Sequence, residues 1–115
     1  MRDIKFIYTI VRENGHVFSS PPFDIRDIEL GIAENWLKVN CVGDISKTLH
    51  RRLFTGLLDK DGGEIYEGDI LKGGIYLRYI VMWNYEDCGW NIAPYGVTQY
   101  EVIGNIYEHK NLLDK

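Results

Sequence analysis

The sequence predicts a mainly β fold, α+β at most, on three observations. Residues 4–11, 75–83 and 100–107 are runs rich in aromatic and β-branched side chains, the composition of strands. Turn signals such as Asn14-Gly15, Asp61-Gly62-Gly63, Gly68-Asp69 and Gly73-Gly74 punctuate these runs at the short spacing of hairpins. A single stretch, residues 24–31, joins a helix cap, a helical spacing and a terminating glycine, so one short helix is expected.

The elements follow in chain order. Ile4, Phe6 and Tyr8 alternate with Lys5 and Ile7 as far as Asn14-Gly15, so the chain opens as a hairpin with residues 16–19 returning. Pro21-Pro22 stops the return, because proline donates no ladder hydrogen bond. Asp24 is placed to cap a helical turn, Asp27 adds charge that suits the helix dipole, and Gly31 is placed to end it. Ile25, Ile28 and Ile32 would share one face. Leu37, Val39 and Cys41 then alternate with Lys38 and Asn40, which predicts a strand. Residues 45–54 fit both periods, by four at Ile45, Leu49 and Leu53 and by two at Arg51, Leu53 and Thr55; the reading is a strand near residues 49–54.

Asp59-Lys60-Asp61-Gly62-Gly63 predicts a tight surface turn with Asp61 and Gly62 at its tip, since aspartates form Asx turns and glycine permits positive φ. Glu67-Gly68-Asp69 makes a second turn, and Ile70-Leu71-Lys72 starts a strand that ends at Gly73-Gly74. The longest β-like run, residues 75–83, places Ile75, Leu77, Tyr79, Val81 and Trp83 on a core face and Tyr76, Arg78, Ile80 and Met82 on the other. Val81 and Trp83 are therefore expected to lie buried with Ile70 in one core. Residues 84–89 turn into a strand at 90–93, residues 94–96 break it, and residues 100–107 give a last strand with Gly104 as a bulge or close approach. Residues 108–115 read as a polar tail.

With 115 residues, 45% of them hydrophobic and 26% charged, the chain has the size and balance of one ordinary domain or two very small ones. That composition excludes a disordered chain, a collagen-like fibre and a membrane bundle. A net charge of −4 argues against a general nucleic-acid coat or a cationic membrane binder, which need a wide positive field. Charge divides unevenly: residues 1–57 carry 8 Lys/Arg and 7 Asp/Glu, net +1, and residues 58–115 carry 5 and 10, net −5. Nine aromatics fall between Tyr66 and Tyr107. The expected organisation is a β-rich portion with a short helix over residues 1–54 and a small SH3-like β-barrel over residues 55–115. The two could form one compact domain overall. Met1-Arg2-Asp3-Ile4-Lys5-Phe6 places charges where a secretory peptide needs an apolar run, and no segment offers the roughly 20 apolar residues of a membrane span. A cytoplasmic protein without a membrane partner is expected. Cys41 and Cys88 form no C-x-x-C pair and are expected to be reduced.

Two segments carry a resemblance. Phe54-Thr55-Gly56-Leu57-Leu58-Asp59-Lys60-Asp61-Gly62-Gly63-Glu64-Ile65-Tyr66-Glu67-Gly68-Asp69-Ile70 and Glu101-Val102-Ile103-Gly104-Asn105-Ile106-Tyr107-Glu108 resemble the YopX family of bacteriophage and prophage proteins. Arg2-x-Ile4-Lys5-Phe6 is similar to that family's opening, and Trp83 through Asp87-Cys88-Gly89 to its central strand and turn, while residues 16–50 are only loosely alike. The resemblance implies a mainly β fold with an SH3-like C-terminal part and a gene carried by phages of bacteria. It implies no activity, so it carries over no catalytic residue.

Read for chemistry, the motifs favour structure. Asp59-x-Asp61 lacks the glycine and glutamate that a calcium loop needs where Glu64 and Ile70 stand. His16, His50 and His109 have no ligand spacing. Glu64, Glu67 and Asp69, or Glu86 and Asp87, are neighbouring acids on turns, which are usually solvated, and acid/base work needs a cleft that splits their pKa values. Ser19-Ser20, Ser46 and Cys88 lack a nucleophile context, and Gly62-Gly63 lacks the lysine of a phosphate loop. No metal, no cofactor, no catalytic residue and no enzymatic activity are expected. Two surfaces remain. Tyr76, Arg78, Met82, Tyr85 and Tyr95 have the composition of an interface for a protein partner or a second copy in a homo-oligomer. Lys47, His50, Arg51 and Arg52 form the one basic cluster, and on a strand Arg52 and Phe54 would share a face able to meet phosphate and base. A binding or assembly module is the leading expectation, and a nucleic-acid-associated regulator is the alternative.

Overall fold

Phe6, Tyr8 and Ile10 stand at every second residue, and that period builds strand β1 (Lys5–Val11) with all three rings or chains on one buried face. The computed structural model describes residues 4–13, 15–41, 49–73, 77–86, 88–92 and 100–109. The chain is mainly β, and its contacts divide it into two units, Met1–Leu53 and Phe54–Lys115.

In the first unit the expected hairpin forms. β1 pairs antiparallel with β2 (Val17–Ser19), Ile10 opposite Phe18. The Arg12 amide donates to the His16 carbonyl at 2.8 Å and the Gly15 amide to the Arg12 carbonyl at 2.9 Å; Asn14 itself lies outside the described residues. Past the ladder the Ser20 hydroxyl accepts from the Tyr8 amide at 2.9 Å, and Pro21-Pro22 then releases the chain. Sequence gave no sign of β3 (Phe23–Asp24), which folds back onto the start of β1 with Phe6 opposite Phe23. Helix α1 (Ile25–Glu29) begins with a capping box: the Asp24 carboxylate accepts from the Asp27 amide and the Asp27 carboxylate from the Asp24 amide, both at 2.9 Å. Gly31 follows at φ +74°, the left-handed conformation that ends short helices.

The strand expected at Leu37, Val39 and Cys41 is corrected: residues Ile32–Asn40 form a second helix, α2. Ala33, Trp36 and Leu37 are spaced for one helical face, and this face packs on Phe6, Tyr8, Ile10 and Phe23, while Val39 is exposed. The apolar burial of that face overrides a local alternation that fits a strand equally well. The rings interlock, with Phe6 and Tyr8 centroids 5.1 Å apart and Phe23 and Trp36 6.2 Å apart. Strand β4 (Leu49–Leu58) closes the unit: its first half runs antiparallel to β1, Leu49 opposite Ile10 and Leu53 opposite Phe6.

In the second unit the later half of β4 pairs with β5 (Glu64–Tyr66), Phe54 opposite Tyr66. The turn between them is built by one side chain. Asp59 accepts at Oδ1 from the amides of Asp61 (3.0 Å) and Gly63 (2.8 Å) and at Oδ2 from that of Val102 (3.1 Å). Asp61 and Gly62 stand exposed at the tip, as the turn chemistry predicts. The 67–69 corner repeats the device, the Tyr66 amide donating to a buried Asp69 carboxylate at 2.8 Å. β6 (Asp69–Gly73) lies between β7 (Leu77–Ile80) and β10 (Tyr100–Asn105), antiparallel to both. Its Gly73 faces Tyr100, whose ring carbons would stand 2.0 and 2.3 Å from a Cβ there, so only glycine fits beneath that ring. The register shift between Val102 and Gly104 is the expected bulge. Ile65, Leu71, Val81 and Ile92 form the core, with Leu57, Trp90, Tyr100 and Val102 against it.

The long strand expected over residues 75–83 is also corrected. β7 stops at Ile80, and Trp83 restarts in a separate short strand, β8 (Trp83–Asn84), paired with β9 (Gly89–Trp90). The side chain of Asn91 spans the break: its Nδ2 donates to the Ile80 carbonyl at 2.8 Å and its Oδ1 accepts from the Met82 amide at 3.0 Å. Val81 is fully buried as expected, but Trp83 is 38% exposed, and Ile70 is buried outside the Ile65, Leu71 and Val81 cluster. The assignments for Ile75, Tyr76, residues 94–96 and residues 110–115 fall outside the described residues.

Candidate functional site

Trp83 and Trp90 stand directly opposite one another in the two-stranded β8–β9 ladder, where a close cross-strand pair of indoles is favourable. Their centroids are 5.3 Å apart at 85°, an edge-to-face contact. Trp90 is half-buried and packs against the Ile65, Leu71, Val81 and Ile92 core. Asn91 ties down the base, and at the tip the Glu86 amide donates to Asn84 Oδ1 at 3.0 Å. Cys88 takes φ +51°, with its Sγ 3.6 Å from the Tyr85 carbonyl. On this anchored hairpin Tyr85 is 85% exposed, Met82 is exposed, and Trp83 shows part of its indole. Aromatic side chains and methionine held on a fixed backbone have the composition of interface centres, because large apolar area is presented at little entropy cost.

Of the residues expected at a partner surface, Met82 and Tyr85 are therefore exposed on one hairpin, Arg78 is half-buried on β7, and Tyr76 and Tyr95 lie outside the described residues. Trp83 was missed, because strand alternation assigned it to the core. The available signal was the turn sequence Asn84-Tyr85-Glu86-Asp87 immediately after it, which puts Trp83 at the neck of a turn.

The basic cluster does not form one face. Strand alternation on β4 sets Arg51 against His50 and Arg52, and Lys47 lies outside the described residues. Arg51 is exposed, with its guanidinium over the rings of Phe6 at 5.5 Å and Tyr8 at 5.9 Å. Arg52 is only 3% exposed, and its Nη1 donates at 3.3 Å to the Thr9 hydroxyl, itself 2.8 Å from that of Ser19. The open Arg52 and Phe54 face is thus corrected: Arg52 is withdrawn from solvent, and Phe54 is half-buried with its ring 5.5 Å from Tyr66. Burial pushes the His50 imidazole below its ordinary range, and the nearby Arg52 charge pushes it further.

Three of the acidic residues, Asp59, Glu64 and Asp69, are engaged in structure; Asp87 lies outside the described residues. Glu64 accepts from the Tyr66 hydroxyl at 3.1 Å, and Asp69 from the Tyr66 amide. Burial raises the Asp59 carboxyl, but the amides of Val102, Gly63 and Asp61 and the charge of Lys60 together hold it below the usual carboxylate range. Burial raises the Cys41 thiol, with Arg12 acting the other way, so a reactive thiolate is disfavoured there. Among the described residues no group of three His, Cys, Asp or Glu is arranged to hold a metal ion, and no helix is long and apolar enough to cross a membrane.

A family model described as YopX protein matches residues 27–114. No curated protein matches the sequence. The matched span holds the Asp59-centred turn, the Gly68-Asp69 corner, the tryptophan hairpin and the bulged last strand, and covers well over half of the sequence: the chain belongs to the YopX family.

Proposed function

We propose that this YopX-family chain is a phage- or prophage-encoded binding and assembly module without enzymatic activity, which works through protein contacts in the cytoplasm of the bacterial host. The contact face is the β8–β9 hairpin. One observation carries the reading: Tyr85 and Met82 are exposed beside Trp83 on a hairpin whose other tryptophan is anchored in the core, an arrangement that costs solvation unless a partner covers it. The short antiparallel strands and glycine turns of the second unit support treating it as an SH3-like barrel. The nucleic-acid reading is weaker, because phosphate contact needs accessible cations and Arg52 is buried.

The test is affinity capture from phage-infected host cells with and without nuclease, comparing the wild type with the Trp83→Ser/Tyr85→Ser variant. A protein retained after nuclease and lost in the variant is expected. Capture that disappears with nuclease, or that the variant leaves intact, refutes the assignment.

A further inference from the structure

The tryptophan hairpin carries aromatic surface and a carboxylate but no cation of its own. Tyr85 and part of Trp83 are exposed, and Glu86 is exposed next to Tyr85 in the turn. Among the described residues, no side-chain hydrogen bond, ion pair or ring contact engages Tyr85 or the Glu86 carboxylate. Residues 79–109 contain no Lys or Arg, and their acids are Glu86, Asp87, Glu101 and Glu108. Glu101 pairs with Lys60 at 3.1 Å, and Glu108 accepts from the Asn105 side chain at 3.1 Å. Glu86 is left as the acid of this span with no partner among the described residues.

The first unit shows what exposed ring edges accept in this chain. The Arg12 guanidinium lies 4.9 Å from the Phe18 ring centre, and that of Arg51 lies 5.5 Å from Phe6 and 5.9 Å from Tyr8, each within reach of a cation–π contact. Among the described residues no such cation lies over Trp83, Tyr85 or Trp90. A partner that covers the hairpin must therefore bring the missing charge. A purely apolar partner would strip water from the Glu86 carboxylate and give nothing back, and an anionic one, nucleic acid included, would be repelled. A guanidinium answers both features, because its plane stacks on an aromatic face while its edge donates to a carboxylate. Resting on the protein-binding reading above, we infer that the β8–β9 hairpin docks a basic, arginine-bearing segment of its partner, with arginine on the exposed rings and paired with Glu86.

Titration of the full chain at low salt with acetylated, amidated hexa-arginine, hexalysine and hexaglutamate, read by indole NMR shifts and tryptophan emission, tests this. Hexa-arginine is expected to bind and to move the Trp83 indole signal. Hexalysine should bind more weakly, because an ammonium is a point charge without a stacking plane, and hexaglutamate should not bind. Glu86→Lys and Tyr85→Ser should each weaken hexa-arginine binding by roughly fivefold or more. Asp61→Lys makes the same change of charge at an exposed turn tip of the same unit and should weaken it by less than about twofold. Thermal denaturation checks that each variant stays folded. Failure of hexa-arginine to bind, hexalysine binding as tightly, indifference to Tyr85→Ser, or equal losses from Glu86→Lys and Asp61→Lys overturns the inference. In phage-infected cells the two readings fail separately. A captured protein that Glu86→Lys retains as well as the wild type overturns the arginine docking and leaves the hairpin a protein-binding face, whereas capture that Trp83→Ser/Tyr85→Ser leaves intact overturns both.

Discussion

Replacing Asp59 with asparagine keeps the shape of the side chain and removes its charge. The Oδ1 acceptor can still serve the Asp61 and Gly63 amides, but the group facing the Val102 amide becomes an NH₂, so a donor meets a donor where the carboxylate accepts at 3.1 Å. A hydrogen bond to a charged group contributes about 1.5–3 kcal/mol, and an unsatisfied half-buried amide adds a further penalty. Asp59 is partly exposed, which pulls the sum toward the low end; Asp59→Asn should cost about 2 kcal/mol at pH 7. The cost should depend on pH. Because the folded carboxyl is held below its ordinary value, its stabilisation is complete above the ordinary carboxylate range and is lost as pH falls through the depressed folded value. Urea denaturation of both proteins at pH 7, 5 and 3 should show midpoints well separated at neutral pH and converging in acid. Equal midpoints at pH 7, or a separation that stays constant down to pH 3, would refute the assignment of Asp59 as the tie between turn and last strand.

Gly73→Ala should cost roughly 1–3 kcal/mol, the usual penalty of overpacking, because the new methyl meets the Tyr100 ring; Tyr100→Ala in the same chain should recover part of it, read as a positive coupling in a double-mutant cycle. His50 should titrate below the ordinary imidazole value by NMR, and replacing Arg52 with methionine should move it upward. The unfolded chain takes up that proton first, so the His50 contribution falls as pH drops from about 7 through the folded value, and His50→Gln should flatten this part of the stability profile. Trp83→Ala should destabilise less than Trp90→Ala, about 1–2 against about 3–5 kcal/mol, because only Trp90 packs on the core; equal losses in thermal denaturation would mean that Trp83 is a core residue after all.

What the sequence made legible was local. The Asp24 helix cap, the Asp59 turn and the Gly68-Asp69 corner each depend on a side chain within a few residues of the amides it satisfies, and the bulge lies at a glycine of the strand itself. The misreadings arose where a distant residue decides. Leu37, Val39 and Cys41 fit a strand until the Phe6, Tyr8 and Phe23 rings select the helical face of Ala33 and Trp36. The core strand expected through Trp83 gives way after Val81 to a hairpin whose base the Asn91 side chain bridges, from the Ile80 carbonyl to the Met82 amide, a contact that no period along residues 75–83 encodes. Arg52 looks like surface charge until Thr9, far upstream, receives its guanidinium in a buried site. The exposure of Met82 and Tyr85 was legible in the sequence, and that of Trp83 was hidden for that same reason.

The central claim, a protein-binding face at the tryptophan hairpin, is tested most directly by site-specific photocross-linking in phage-infected cells. Benzoylphenylalanine is placed either at Tyr85, 85% exposed on the hairpin, or at Asp61, exposed at the tip of the Asp59 turn in the same unit. The account predicts a discrete protein adduct from position 85 that survives nuclease treatment, with little or none from position 61. Adducts of equal yield from both positions, or an adduct from position 85 that nuclease removes, would contradict it.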